Sequence, residues 1–177
     1  MQDFAAVRSE MGEFWNIRSG LEESVKGFFS APPEADVVLE SLIPEKDFNT
    51  AGKGSAEVKN LLKRLGVDPE VLRRVAVAAY EAEINVAAHS RGGMMDSYIH
   101  SDLIHVVFRD KGPGIADIAQ AMVPGFSTAD DMVREMGFGA GLGLPNIQKN
   151  TDALHIVSSA GGSTVLEFLI YFANNER

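Results

Sequence analysis

One long helical segment in the middle of the chain constrains the fold most. Asp68-Pro69-Glu70 has the composition of a helix start, because a capping acid precedes a proline at the first helical position and a second acid follows. Arg91-Gly92-Gly93 marks the end of the segment, so the sequence predicts a helix that runs to about His89.

Strand patterns and shorter helix patterns lie on both sides of this segment. Five strands are predicted from runs rich in apolar and β-branched residues: Val37 to Ile43, Met94 to His100, Leu103 to Arg109, Ala153 to Ser158, and Thr164 to Phe172. Three further helices are predicted at Ser55 to Leu65, Ala116 to Met122, and Leu144 to Asn150. This order predicts an α/β fold, a two-layer sandwich in which a mixed sheet carries helices on one face.

The first 36 residues are predicted to be an amphipathic helical extension and a linker, before a domain over residues 37–177. Apolar residues interrupted by one arginine recur alternately three and four apart: Phe4, Val7, Met11, Phe14, Arg18, Leu21, Val25 and Phe28. Such a stripe needs cover from its own domain, a second copy or another partner, and the heptad spacing favours a homodimer. Arg18 should meet an acid or leave the contact, because a buried unpaired charge is costly.

The charge balance narrows the class of partner. The chain of 177 residues has a formal net charge of −9, which repels nucleic-acid phosphates and anionic lipid, so neither nucleic acid nor membrane is the expected partner. The absence of cysteine excludes disulfides and thiolate metal sites. The sequence shows neither a signal peptide nor a run approaching about 18 apolar residues, so a cytoplasmic location is expected.

Three motifs carry candidate chemistry, and the first lies on the long helix. Glu81, Asn85 and His89 are spaced four residues apart, which places them along one helix face. An Asn carbonyl is a hard oxygen ligand suited to Mg²⁺, and a carboxylate one turn away can accept a proton from a nucleophile. Taken alone, the pattern is also that of a solvated helix face.

The second motif is the loop that follows the predicted strand from Leu103 to Arg109. Asp110, Gly112, Gly114 and Ile115 place a carboxylate at a strand end beside a tight turn. A carboxylate can accept from the exocyclic amine of adenine, and glycines allow a ligand to approach the backbone closely. A simple turn has the same composition.

The third motif is a glycine-rich run that leads into a helix. Its residues are Gly137, Gly139, Gly141, Leu142, Gly143 and Leu144. Converging backbone amides and a helix N-terminus favour an anion, so the run is suited to phosphate. Thr50 to Ser55 hints at a P-loop, but Asp47 stands where that motif requires glycine, and we interpret the segment as a helix start.

Together and in this order, the three motifs resemble the N, G1 and G2 boxes of the GHKL (Bergerat) ATP-binding fold. That family includes histidine kinases, type II topoisomerases, a large heat-shock chaperone and bacterial anti-sigma-factor kinases. The resemblance covers about residues 37–172 and implies a site for ATP and Mg²⁺. It implies that Asn85 coordinates Mg²⁺ and that Asp110 binds the adenine amine.

The resemblance also implies a mobile ATP lid over residues 123–138. Further nucleotide contacts are expected from His89, Gly112, Gly114, Ile115, Ser127, Thr128, Arg134, Gly137, Gly139, Gly141, Leu142, Gly143 and Leu144. Ser163, after two glycines, occupies the position at which the family usually has a threonine near the adenine.

Two residues select a branch of the family. Glu81 four residues before Asn85, with His89 four residues after it, resembles the pattern of the anti-sigma-factor serine/threonine kinases. The resemblance implies phosphoryl transfer from ATP to an antagonist domain, with Glu81 as the base and a sigma factor as a second partner. A non-catalytic ATP-gated binding module and a histidine-kinase-like ATPase domain are the alternatives, because the Gly125 to Thr128 lid resembles histidine kinases.

Overall fold

The computed structural model describes residues 11–173. The strands are β1 (Met11–Ile17), β2 (Val37–Ile43), β3 (Gly93–Ile99), β4 (Leu103–Asp110), β5 (Ala153–Ser159) and β6 (Thr164–Tyr171). The helices are α1 (Glu22–Ser30), α2 (Lys53–Arg64), α3 (Pro69–His89), α4 (Ile118–Ala121), α5 (Asp131–Glu135) and α6 (Gly143–Asn150).

The six strands form one sheet in the order β1-β5-β6-β4-β3-β2. Together with the helices, this sheet confirms the predicted α/β fold. Every strand pair in the described part of the chain is antiparallel, so the expected mixed pairing is wrong. A turn of three residues joins β3 to β4 and one of four residues joins β5 to β6, and tight turns of this kind require antiparallel neighbours.

The main core lies between one face of this sheet and helices α2, α3 and α6. Alternate residues of β4 point into it, with Ile104 and Val106 fully buried and Phe108 nearly so. Helix α3 lies at the centre of the helical layer, since it packs against both α2 and α6. Its start is the predicted one: the Asp68 side chain accepts from the Glu70 N–H at 2.8 Å, and Pro69 is the first helical residue.

The opposite face of the sheet is partly covered by α1. Val25 and Phe28 of this helix pack against Leu103, Ala153 and Leu169, which alternate with the residues that face the main core. The structure therefore has helices on both faces of the sheet, whereas the sequence predicted helices on one face.

The helical extension predicted within residues 1–36 is wrong for Met11–Ile17, which is an edge strand paired with β5. The spacing of three and four arises because the apolar residues belong to a strand, a turn at Gly20 and a short helix in succession. Phe4 and Val7 lie outside the described residues. For the described residues, Phe14, Val25 and Phe28 pack on their own sheet, so the stripe does not require a second copy.

Arg18 finds the acid that the sequence analysis required. Its guanidinium lies 3.0 Å from the buried carboxylate of Asp152, which Arg74 of α3 also contacts at 2.7 Å. The Tyr171 N–H donates to the other Asp152 oxygen at 2.8 Å. This ion-pair cluster ties the N-terminal segment to α3 and to the sheet, and its charges are paired as burial demands.

Within residues 11–173, none of the helices has both the length and the apolar character needed to cross a bilayer.

Candidate functional site

The polar residues of α3 open onto a cavity of about 900 Å³. Between residues 81 and 90, Glu81, Asn85 and His89 are half-buried whereas the other seven residues are buried. All three line the cavity, so they share one face of the helix, as the four-residue spacing predicted. The volume is within the range of small-molecule sites, which is about 300–1,000 Å³.

Asp110 lies at the end of β4 on the same cavity. One of its carboxylate oxygens accepts from the Gly112 N–H and from the Thr164 N–H, each at 2.8 Å. These two bonds fix the carboxylate at the meeting point of β4, β6 and the Asp-Gly-Gly loop. The second oxygen is thereby oriented without being used in these bonds, as an acceptor for a ligand amine requires.

The hydroxyl on this side of the cavity belongs to Thr164 and not to Ser163. Thr164 is buried, lines the cavity and shares a hydrogen bond of 2.7 Å with the Ser158 hydroxyl, whereas Ser163 is exposed and does not line it. Ser158 also accepts from the Ile115 N–H at 2.8 Å. The expected position of the hydroxyl was therefore wrong by one residue.

Two glycines allow the close approaches that shape the cavity. At Gly114, with φ of +78°, a Cβ would overlap the Ser159 carbonyl oxygen, so only glycine fits. At Gly143, a Cβ would lie 3.0 Å from the Asn85 side-chain oxygen and 3.4 Å from a carboxylate oxygen of Glu81. The glycine-rich run therefore begins α6 directly against the candidate metal ligand and the candidate base.

The segment over residues 123–138 forms one wall of the cavity. The Gly125 N–H donates to the Gly141 carbonyl at 2.9 Å, which joins this segment to the glycine-rich run. Ser127 and Thr128, for which nucleotide contacts are expected, line the cavity. Arg134 does not line it: the residue is exposed, and its Nε–H donates to the Ala129 carbonyl at 3.0 Å.

The structure brings most of the predicted site residues together. Those that line the cavity are Glu81, Asn85, His89, Asp110, Gly114, Ile115, Ser127, Thr128, Gly137, Gly139, Gly141, Leu142, Gly143 and Leu144. Gly112, Arg134 and Ser163 do not line it, and Gly112 contributes through its bond to Asp110. Whether each residue contacts a nucleotide is still a prediction.

The sequence analysis did not identify Lys46 as a site residue. Its backbone N–H donates to the Ala87 carbonyl at 2.9 Å, and its ammonium donates to the Ala88 carbonyl at 2.6 Å. Lys46 thus binds the last carbonyls of α3, where a cation is favourable. No local motif marks it, because the contact spans 42 residues of sequence.

Lys46 also influences His89 at the cavity wall. Burial lowers the pKa of the His89 imidazole, the Lys46 charge lowers it further, and the Asp130 carboxylate offsets part of the effect. These effects favour the neutral form of the His89 imidazole. Lys46 is the one lysine or arginine among the described residues that line the cavity.

The cavity carries more acids than bases: Glu81, Asp110, Asp117 and Asp130 line it with Lys46. Within the described part of the chain, the structure has no cluster of three or more His, Asp or Glu side chains that would hold a metal alone. Mg²⁺ commonly binds through one or two protein ligands together with substrate phosphates, and Asn85 fits that chemistry.

The fold, the polar face of α3, the Asp110 loop and the glycine-rich run define an ATP-binding domain of the GHKL class. The model of the histidine kinase-like ATPase domain family matches residues 48–167, which is more than half of the chain, and the chain belongs to that family. The class predicted from the sequence is confirmed.

Comparison with characterised proteins gives a more particular relative. The chain is similar to the serine/threonine-protein kinase RsbT of Bacillus subtilis (strain 168), with 28% identity over 113 residues. The aligned region covers 62% of this chain and 79% of RsbT.

Proposed function

We propose that the protein is an ATP-dependent serine/threonine kinase and switch protein of the anti-sigma-factor type, which phosphorylates an antagonist domain. The observation that carries the proposal is the placement of Glu81. Its carboxylate lies on the cavity one helical turn before Asn85 and against the start of α6. A protein that only bound ATP would not need a base at this position. The similarity to RsbT supports the same activity.

In the proposed reaction, Glu81 accepts the proton of a serine or threonine hydroxyl of the partner. That oxygen forms a bond to the γ-phosphorus, and the bond to the bridging oxygen breaks with its electron pair leaving on ADP. The backbone N–H groups at the start of α6 and those of Gly139 and Gly141 are assigned to the phosphates. When bound, Mg²⁺ would neutralise phosphate charge, and Asn85 is the side chain that would hold it.

The adenine end of the nucleotide is assigned to the wall formed by β4 and β6. Phe108 and Leu166 supply apolar surface there, and Asp110 supplies the acceptor for the adenine amine. The bonds from Gly112 and Thr164 hold that carboxylate in place before a ligand arrives, which lowers the ordering cost of binding.

The partner is proposed to be a protein with an acceptor serine or threonine, and the net charge of −9 disfavours nucleic acid. The test is incubation with magnesium and labelled ATP, with and without a candidate antagonist-domain protein. Phosphoserine or phosphothreonine on that protein is expected. ATP-dependent binding of the partner without phosphate transfer would instead support the ATP-gated binding module.

A further inference from the structure

Glu81 is held by a residue that the sequence motifs do not include. The Asn146 side-chain amide on α6 donates to one carboxylate oxygen of Glu81, Oε1, at 2.8 Å. The other oxygen, Oε2, is directed toward Gly143, where it lies 3.4 Å from the position that a Cβ would occupy. The two carboxylate oxygens of Glu81 therefore have different surroundings.

Hydrogen bonds to its backbone N–H and its backbone carbonyl hold Asn146 in place. Its backbone N–H donates to the Leu142 carbonyl at 2.8 Å, in the first turn of α6. Its backbone carbonyl accepts from the Asn150 side-chain amide at 2.8 Å, and the Asn150 carbonyl accepts from Arg74 at 3.2 Å. Arg74 is buried and paired with Asp152, so the anchor of Asn146 extends into the core of the domain.

We propose that Asn146 is a positioning residue, which holds Glu81 so that Oε2 faces the reacting hydroxyl. This inference rests on the proposed kinase function. A glutamate side chain has three rotatable bonds, and a donor amide on a fixed helix selects one arrangement of its carboxylate. Asn146 lies three residues after Gly143, the last glycine of the run, so the element that receives the phosphates also sets the direction of the base.

The proposal makes a specific kinetic prediction for Asn146→Ala. Removal of the donor leaves Glu81 chemically intact but unrestrained, so kcat should fall by about 10- to 100-fold. KM for MgATP should change by less than about threefold, because Asn146 acts through Glu81 and not on the nucleotide. Gln148→Ala is the matched control, since it removes a half-buried amide side chain from the same helix, and it should leave both constants unchanged.

The double variant separates positioning from a structural effect. If Asn146 acts only through Glu81, the Glu81→Gln/Asn146→Ala variant should be no slower than Glu81→Gln alone. Losses that multiply, or an Asn146→Ala variant with wild-type kcat, would overturn the positioning role and leave the proposed function intact. Thermal unfolding of each variant shows whether it is folded.

The experiment uses the full chain with MgATP, measured both as phosphate release to water and as transfer to the antagonist-domain protein. Slow exchange of the Asn146 side-chain amide protons with solvent, lost in Glu81→Ala, checks the hydrogen bond without any turnover. Protein that binds MgATP but shows no turnover in either assay would overturn the proposed function, and the role of Asn146 with it. These outcomes distinguish the two claims.

Discussion

The Lys46 ammonium lies 3.0 Å from the Asp130 carboxylate, and this pair connects the predicted lid, residues 123–138, to the loop between β2 and α2. A second contact joins the same two segments, because the rings of Phe48 and Phe138 stack with their centroids 5.1 Å apart. Solvent screens an exposed ion pair so that it contributes little, whereas an aromatic pair contributes about 0.5–1.5 kcal/mol beyond its buried area. The stacked rings are therefore the stronger of the two contacts.

Replacement of Phe138 by alanine should loosen the lid. Loss of the stacking should raise amide hydrogen exchange over residues 123–138 by about 2- to 10-fold without ATP, because local opening becomes less costly. Met136→Ala removes an exposed lid side chain and should leave the exchange unchanged. Equal exchange in wild type and Phe138→Ala would show that the rings do not restrain the lid.

Nucleotide should slow exchange in the same segment. The bond between Gly125 and Gly141 already couples the lid to the glycine-rich run, so phosphates bound at the run should restrain both. Exchange measured with and without MgATP tests this. Strong protection that is equal in the two states would contradict a lid.

MgATP should stabilise the fold, and two variants should lose that effect. A ligand at a hundredfold excess over its Kd raises the free energy of unfolding by about 2.7 kcal/mol. Asn85→Ala removes the metal ligand. Asp110→Asn keeps an oxygen for the Gly112 and Thr164 N–H groups but presents an amide to the adenine amine, so both variants should show little ligand-dependent change in Tm.

The control for this measurement is Asp102→Asn, the same substitution at the exposed turn between β3 and β4. It should retain the full increase in Tm with MgATP. If Asn85→Ala and Asp110→Asn also retain it, the assignment of the site is wrong.

Local sequence determined the elements that the pattern analysis placed correctly. The cap of Asp68 and the proline after it begin α3 through interactions within two residues, so this helix was predictable with its polar face. Strand β1 depends on pairing with β5, more than 130 residues away, and no local period encodes that partner. Its apolar residues on both faces reflect a sheet that is covered on both sides.

The site shows the same division. Glu81, Asn85 and His89 were found because a helix repeats one face every four residues. Thr164 was missed by one position, because the conformation of the turn at Gly161 and Gly162 decides which hydroxyl reaches the cavity. Lys46 and Asn146 were missed because their contacts join segments that are distant in sequence.

Phe28 should be a core residue and not a contact for a second copy. It is 8% exposed and packs between α1 and the sheet, so Phe28→Ala should lower the free energy of unfolding by about 3–5 kcal/mol. Urea unfolding measures this, and light scattering gives the oligomeric state of the same samples. Glu23→Ala, on the exposed side of α1, should change stability by less than about 0.5 kcal/mol.

A loss below about 1 kcal/mol for Phe28→Ala, together with a change in molecular mass, would contradict this account. It would favour the homodimer that the heptad spacing suggested.

Stability should depend on pH through a cluster beneath α1. One carboxylate oxygen of Glu167 lies 2.7 Å from the His105 ring nitrogen, and the other lies 2.8 Å from a ring nitrogen of His155. The second ring nitrogen of His155 lies 2.9 Å from the Glu13 carboxylate. Burial acts to raise the pKa of Glu167, but the two histidines outweigh it and lower the pKa to about 2. Burial acts to lower the pKa of His155, but its bonds to Glu167 and Glu13 outweigh it and raise that pKa.

These shifts give two arms of opposite sign. The Glu167 contribution is present above its ordinary pKa of 4.5 and is lost as pH falls toward about 2. The His155 contribution is present below its ordinary pKa of 6.5 and is lost as pH rises through the raised value. Unfolding free energies across this range should therefore fall on both sides of a maximum.

Glu167→Gln should flatten both arms, because it removes the acid and the main partner of His155. Glu40→Gln is the control, since Glu40 is exposed on the same face of the sheet and should leave the profile unchanged. Identical profiles for wild type and Glu167→Gln would contradict the role of the cluster.

The most direct test of the central claim compares wild type with Glu81→Gln in two assays on the same samples. The amide keeps the size of the side chain but is no useful base at neutral pH, so transfer from ATP to the antagonist-domain protein should fall by about 10²- to 10⁴-fold. The Kd for MgATP should stay within about threefold of wild type, because Glu81 acts on the hydroxyl. Transfer at the wild-type rate by Glu81→Gln would contradict the account.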